Sequence, residues 1–249
     1  RAERTARRER LGNVRLALDA GERSGKRVAE LEGVTKRFGD RTIVRDLTLN
    51  VLRGDRLALI GPNGAGKTTC FNLLTKFLDP TQGTIRFNGQ DITREHPAAV
   101  ARRGMIRSFQ ISAVFPRLTV RENIYIPLQR SLGTSFHFWK SRAALAALDD
   151  RAMELLAQVG LESFADLVAV ELSYGRKRAL EIATTLALDP ELMLLDEPTQ
   201  GMGHEDVDWV MELIKNVAAN RTVLMVEHNM KVVEGICDTI TVLAHGSVL

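Results

Sequence analysis

The sequence predicts an α/β fold with a mainly parallel sheet core, an antiparallel β layer in front of it and a helical subdomain. Three observations carry this. The short apolar runs "RLALIG", "ELMLLDE" and "TVLMVEH" end in glycine or in polar and charged residues, as strands buried in a sheet do. Stretches with helical spacing separate them, which crossovers between parallel strands require. Near the start, "VAELEGVTKRF" and "TIVRDLTLNVL" alternate apolar and polar residues as half-buried strands.

Each element follows in order. Residues 1–29 are charged and poor in large apolar side chains, with Gly21, Ser24 and Gly25 as breakers, and read as a basic, solvated helix and linker. One domain then spans 30–249. After the two alternating strands and "RLALIG", "KTTCFNLLTKFL" has helical spacing and should stop at Asp79-Pro80. "GTIRFNGQDIT" reads as a strand and turn. From about Val114 to Leu167 the chain is largely helical; "SRAALAALDDRAMELLAQVGL" carries apolar residues at i, i+3, i+4 and i+7, and the helical subdomain is placed at about 112–182. "DTITVLAHGSVL" suggests a closing strand pair.

Charge and cysteines exclude several classes. The formal net charge is +3, but residues 1–29 alone hold 9 Lys/Arg against 4 Asp/Glu, leaving 25 basic and 27 acidic residues in the body. The body gives no sign of a nucleic-acid binder; only the basic N-terminal segment could approach RNA. Cys70 and Cys237 offer neither a disulfide framework nor metal-ligand spacing and read as small buried apolar residues. No apolar run approaches the roughly 18–20 residues that span a bilayer, so a membrane role must come through a partner.

"GPNGAGKT" follows a predicted strand and opens a predicted helix, the context a phosphate-binding loop requires. In Gly61, Pro62, Asn63, Gly64, Ala65 and Gly66, the glycines let backbone N–H groups close around phosphates, and the helix N-terminus adds its positive end. Lys67 should reach the β- and γ-phosphates of ATP, Thr68 should ligate Mg²⁺, and Thr69 should touch the α-phosphate. "LMLLDEP" supplies the second element: Asp196, ending a buried strand, can bind Mg²⁺ through water. Glu197 beside it can orient or deprotonate the attacking water.

With these motifs in order, the chain resembles the ATP-binding subunit of ABC transporters, and the resemblance implies a P-loop ABC ATPase that uses ATP and Mg²⁺. "LSYGRKRALEIA" resembles that family's signature, with Leu172, Ser173 and Gly175 in place; the family presents this loop to the γ-phosphate bound on the opposite subunit. Gln110, ending "MIRSFQ", stands where the family has a glutamine that contacts Mg²⁺ and water and senses the transmembrane partner. His228 in "MVEHNM" matches the switch histidine, and Phe38 in "VTKRFGD" matches the ring stacked on adenine.

"LSYGRKRALEIA", "DEPTQGM" and "VEHNMKVVEGICDTITVLAHGSVL" look most like the motor subunits of branched-chain amino-acid importers, in which a tyrosine such as Tyr174 commonly replaces the second signature glycine. "FQISAVFPRLTVRENI" fits the surface this family offers to a coupling helix of the membrane subunit. The segment "TQGMG" at 199–203 lacks the usual aspartate, so that family contact across the dimer is not carried over. The resemblance implies a homodimer, or a heterodimer with another ABC ATPase subunit. It implies transmembrane permease partners and a cytoplasmic, peripheral position at the inner face of the membrane.

Residues 1 to about 69 resemble instead the linker and second-domain start of ABC-F proteins, soluble tandem ATPases acting at the ribosome. The chain therefore reads as a mosaic joined near the phosphate loop, with an N-terminal extension as the alternative. The rival function is an ABC-F-like ATPase at the ribosome, or an ABC domain without a transport partner.

Overall fold

The computed structural model describes residues 27–108, 114–131 and 142–249; most of the basic N-terminal segment, and Gln110, lie outside these. The two alternating stretches pair as an antiparallel hairpin, β1 (Arg27–Phe38) with β2 (Arg41–Leu52). β4 (Gln82–Phe87) pairs with the other edge of β1, and short β5 (Gln90–Asp91) extends β4, giving the order β2-β1-β4-β5. This is the expected antiparallel layer.

Behind it lies a six-stranded sheet of order β10-β9-β3-β8-β7-β6. Its parallel members are β3 (Arg56–Ile60), β6 (Met105–Ser108), β7 (Leu192–Asp196), β8 (Thr222–Val226) and β9 (Thr239–Ala244). Only β10 (Ser247–Val248) runs antiparallel, completing the expected closing pair. Every residue of β7 and β8 is buried, because apolar matter covers both faces. Leu192, Leu194, Leu224 and Val226 share one core with the antiparallel layer. Their neighbours Met193, Leu195, Val223 and Met225 point the other way, into a core shared with helices.

The helices are α1 (Lys67–Leu74), α2 (Pro97–Arg102), α3 (Val120–Ser131), α4 (Arg142–Gln158), α5 (Tyr174–Leu186), α6 (His204–Ala218) and α7 (Met230–Ile236). α1 stops earlier than the expected Asp79-Pro80. The Thr75 hydroxyl donates back to Phe71 O at 2.7 Å, Lys76 turns left-handed at φ 63°, and Leu78 N–H folds back to Asn72 O at 3.0 Å. Val120, Ile124 and Leu128 of α3 pack with Leu148, Ala152 and Leu155 of α4 and with Ala179 and Ile182 of α5. The same apolar cluster reaches β7 and β8, so the helical region sits on the sheet's second face. Buried Asn123 knits the turn before α3, donating to Phe115 O and Thr119 O and accepting from Phe115 N–H.

Candidate functional site

β3, β8 and β7 are neighbours in the parallel sheet, so their carboxyl ends lie side by side, where open α/β sheets place ligands. β3 runs into Gly61, β7 ends at Asp196, and β8 ends at Val226 just before Glu227 and His228. Three motifs far apart in sequence therefore converge at one edge.

The loop after β3 is built for close backbone approach. A Cβ at Gly61 would lie 2.1 Å from Leu243 O, and one at Gly66 would lie 3.2 Å from Ile43 O and Val44 Cγ2. Gly64 and Gly66 hold φ 80° and 102°, values that favour glycine. Pro62, Asn63 and Gly64 stand exposed at the crest, Ala65 is buried, and Thr68 and Thr69 sit in the first turn of α1. That turn leaves backbone N–H groups without helical acceptors, which makes it an anion seat. The buried Lys67 ammonium donates to Gly61 O at 2.7 Å and Pro62 O at 3.0 Å, folded over its own loop. Burial lowers its pKa, and the charges of Glu197 and Asp196 act in the opposite sense.

Asp196 is fully buried. One carboxylate oxygen pairs with the guanidinium of Arg107 on β6, which also donates to Asn72 of α1 at 2.6 Å and lies over the Phe71 ring. The other oxygen, Oδ1, is buried with no hydrogen-bond partner. An orphaned carboxylate oxygen whose charge acts on Lys67, with a hydroxyl at Thr68 in the first turn of α1, suits Mg²⁺, which takes few protein ligands and completes its shell with water and substrate phosphates. Among the described residues no group of three His, Cys, Asp or Glu gathers as an all-protein metal cage.

Glu197 has an unusual backbone. Its φ is +46°, and its N–H donates to Val226 O at 2.8 Å. Its carboxylate lies 3.1 Å from His228 Nε2. The two residues, 31 positions apart in the sequence, thus meet at the ends of β7 and β8, a contact that the sequence did not announce. Buried Glu227, unremarked in the sequence, accepts from His228 N–H at 2.6 Å, Asn229 N–H at 3.3 Å and Thr199 N–H at 3.2 Å, and also from the Thr199 hydroxyl.

Ser173 is the N-cap residue of α5, in extended conformation, and is exposed with Tyr174, while Gly175 is buried against Asp206. The Tyr174 hydroxyl donates to Gln200 O at 3.1 Å. Phe38 ends β1 with half its surface exposed and Lys36 Nζ 5.0 Å from its ring centroid. The hairpin end that carries it also packs on the phosphate loop, since Lys36 pairs with Val44, the residue beside Gly66. Gln110 lies outside the described residues, two positions beyond the end of β6. Arg107, Arg178 and Glu227 escaped the sequence reading; the available signal was a lone charge within or beside an apolar run, as in "MIRS" and "TVLMVE".

The family model described as ABC transporter matches residues 44–200. The chain is 38% identical over 229 residues to BraF of Pseudomonas aeruginosa, a high-affinity branched-chain amino acid transport ATP-binding protein, covering 89% of this chain and 90% of the relative. Among solved structures, the ADP conformation of MJ1267, an ATP-binding cassette of an ABC transporter, matches with TM-score 0.77 and 27% identity, over 90% of this chain and 89% of that one. The dimeric cassette MJ0796 matches with TM-score 0.72 and 27% identity, over 88% and 96%. Coverage of 89% reaches well upstream of residue 70. The alignment to the importer subunit therefore runs across the phosphate loop.

Proposed function

Because this chain belongs to the ABC transporter ATP-binding family, we propose that it is the ATP-hydrolysing subunit of an importer for branched-chain amino acids or related small polar solutes. The observation that carries the chemistry is the convergence of Lys67, Asp196, Glu197 and His228 at the carboxyl ends of β3, β7 and β8. The similarity to BraF over 89% of the chain supports the transport role.

In this reading the phosphates of ATP lie on the N–H groups of residues 63–69, and the Lys67 ammonium turns from the loop carbonyls onto the β- and γ-phosphates. Phe38 stacks on the adenine. Glu197 accepts a proton from the attacking water, and His228 at 3.1 Å holds its carboxylate and reaches the departing phosphate. Thr68, Asp196 and Gln110 would hold Mg²⁺, which when bound neutralises charge on the phosphate oxygens. ATP and water leave as ADP and phosphate.

Ser173, Tyr174 and Gly175 serve the site of a second ATPase chain. Their position at the start of α5, with Ser173 and Tyr174 exposed, suits a loop that caps a partner's γ-phosphate. Hydrolysis then alternates with closure and opening of a head-to-tail dimer.

A cavity of about 540 Å³ between α2, α3 and the end of β6 is lined by Phe77, Pro97, Met105, Phe115, Ile126 and Pro127 among others. Three of these, Phe77, Phe115 and Ile126, are exposed apolar side chains. We assign this groove to a coupling helix of the transmembrane permease. Among the described residues no helix is long and apolar enough to cross a membrane; the permease contact is what would hold the subunit at the inner face.

Glu197→Gln tests the base. Losing a general base should lower turnover by about 10²-fold or more while ATP binding persists and ATP-bound dimers accumulate in gel filtration. Unimpaired turnover would sink the assignment. Cells carrying that variant should also lose ATP-dependent uptake of labelled leucine, isoleucine or valine; undiminished uptake of all three would count against the proposed solutes.

A further inference from the structure

Glu197 would be expected to sit poorly where it does. A glutamate at φ +46° is in the left-handed region that side chains other than glycine seldom adopt. Such a residue persists only when its surroundings hold it, and here the surroundings are two buried charges.

The first is Arg178, on the second turn of α5. Its Nε donates to Pro198 O at 3.1 Å and its Nη2 to Asp196 O at 3.2 Å, so one guanidinium spans the two carbonyls that flank Glu197. Its Nη1 donates to Glu181 Oε2 at 2.6 Å, which fixes the plane of the guanidinium from within the same helix. Tyr174, at the start of α5, adds a third bond to Gln200 O. Alternate carbonyls of the segment, at 196, 198 and 200, are thus held by one helix. The second charge is Glu227. It takes both the N–H and the hydroxyl of Thr199 on one side, and the N–H groups of His228 and Asn229 on the other. The strands that carry the two members of the Glu197–His228 pair are therefore cross-tied by a carboxylate.

We propose that Arg178 and Glu227 are positioning residues for hydrolysis: they hold Glu197 in its left-handed conformation against His228, and Arg178 thereby ties the signature helix to the carboxylate of its own chain. The proposal rests on Glu197 as the base and on Ser173 to Gly175 as the loop that meets a partner's ATP. It adds a consequence. A displacement of α5 when its N-terminus meets the partner's nucleotide is delivered to residues 196–200, less than two turns away, so contact in one site reaches the base of the other. Neither residue touches ATP in this scheme; both act through Glu197.

The experiment measures kcat, KM and equilibrium ATP affinity for Arg178→Met, Glu227→Gln and Glu197→Gln, and for Arg178→Met combined with Glu197→Gln. Misplacing a reacting group by about 1 Å can cost roughly 10²-fold in rate. Arg178→Met should therefore lose about 30- to 100-fold in kcat, with KM and ATP affinity within about two-fold of the parent. In the Glu197→Gln background the same substitution should remove little more, since the group it positions is already gone. Glu227→Gln keeps the side-chain shape and one acceptor oxygen; it should show the same split at smaller size, and it serves as the readout if Arg178→Met does not fold. An unaltered kcat in folded variants would overturn the proposal. So would parallel loss of ATP affinity, or an equal further loss in the Glu197→Gln background. Normal turnover of Glu197→Gln alone would instead indict the base assignment, which keeps the two failures apart.

Discussion

Replacing Arg107 by methionine should destabilise the fold severely and by a calculable route. Its guanidinium is nearly buried and pairs with Asp196, whose side chain has no exposed surface and whose Oδ1 has no hydrogen-bond partner. Methionine fills similar volume against Phe71 but leaves the carboxylate with neither oxygen compensated. Removing one partner of a buried pair typically costs about 3–5 kcal/mol, much of it the penalty on the charge left behind. At roughly 2–4 °C per kcal/mol for a chain of this size, the melting temperature should fall by about 6–20 °C. Urea titration of the nucleotide-free protein measures the loss. Asp196→Asn in the Arg107→Met background should recover about 2 kcal/mol, because neutralising the stranded group removes most of the penalty. A loss under about 1 kcal/mol for Arg107→Met, or strictly additive single and double variants, would refute the claim that Arg107 compensates the buried charge of Asp196.

Further outcomes follow from other contacts. Gly61→Ala should cost at least about 3 kcal/mol by urea titration, since the new Cβ would lie 2.1 Å from Leu243 O, a backbone atom of β9 that cannot swing aside. A wild-type urea midpoint would disprove that packing. Tyr125 is pushed up to about 12, chiefly by burial and then by the hydrogen bond it donates to Asp149 at 2.6 Å. Because its folded pKa lies above the unfolded value of about 10, the stability it contributes is whole below pH 10 and is lost as pH rises toward 12. Phenolate absorbance should show one of the two tyrosines titrating near pH 12, and Tyr125→Phe should remove that step. The thiol of Cys70 is raised to about 12 by burial, so it should resist iodoacetamide at pH 8 until the protein unfolds; labelling within minutes in the native state would contradict its burial.

Much of the fold was legible locally. The apolar runs at 192–195 and 223–226 read as strands covered on both faces, and the alternation in 28–38 and 42–52 as a half-buried pair. The stop of α1 was misjudged because it depends on a left-handed Lys76 and a side-chain cap by Thr75, features that the helical spacing through Leu78 conceals. The phosphate loop is silent on a join near residue 70 for a related reason: a short motif common to many proteins marks a chemistry and carries little information about the residues on either side.

The candidate site divides along the same line. A phosphate loop is a local object, made by the spacing of glycines, a lysine and a helix start within eight residues, and the sequence alone identified it together with the acidic pair at the end of a strand. Its supports are not local. Arg107 reaches Asp196 across 89 positions, Glu227 reaches Thr199 across 28, and Arg178 reaches the carbonyls beside Glu197 from a different helix. In the sequence each is one more charged residue near an apolar run. Tertiary structure decided which charges are buried and what they hold, because the cost of an uncompensated charge exists only once the chain has removed it from water.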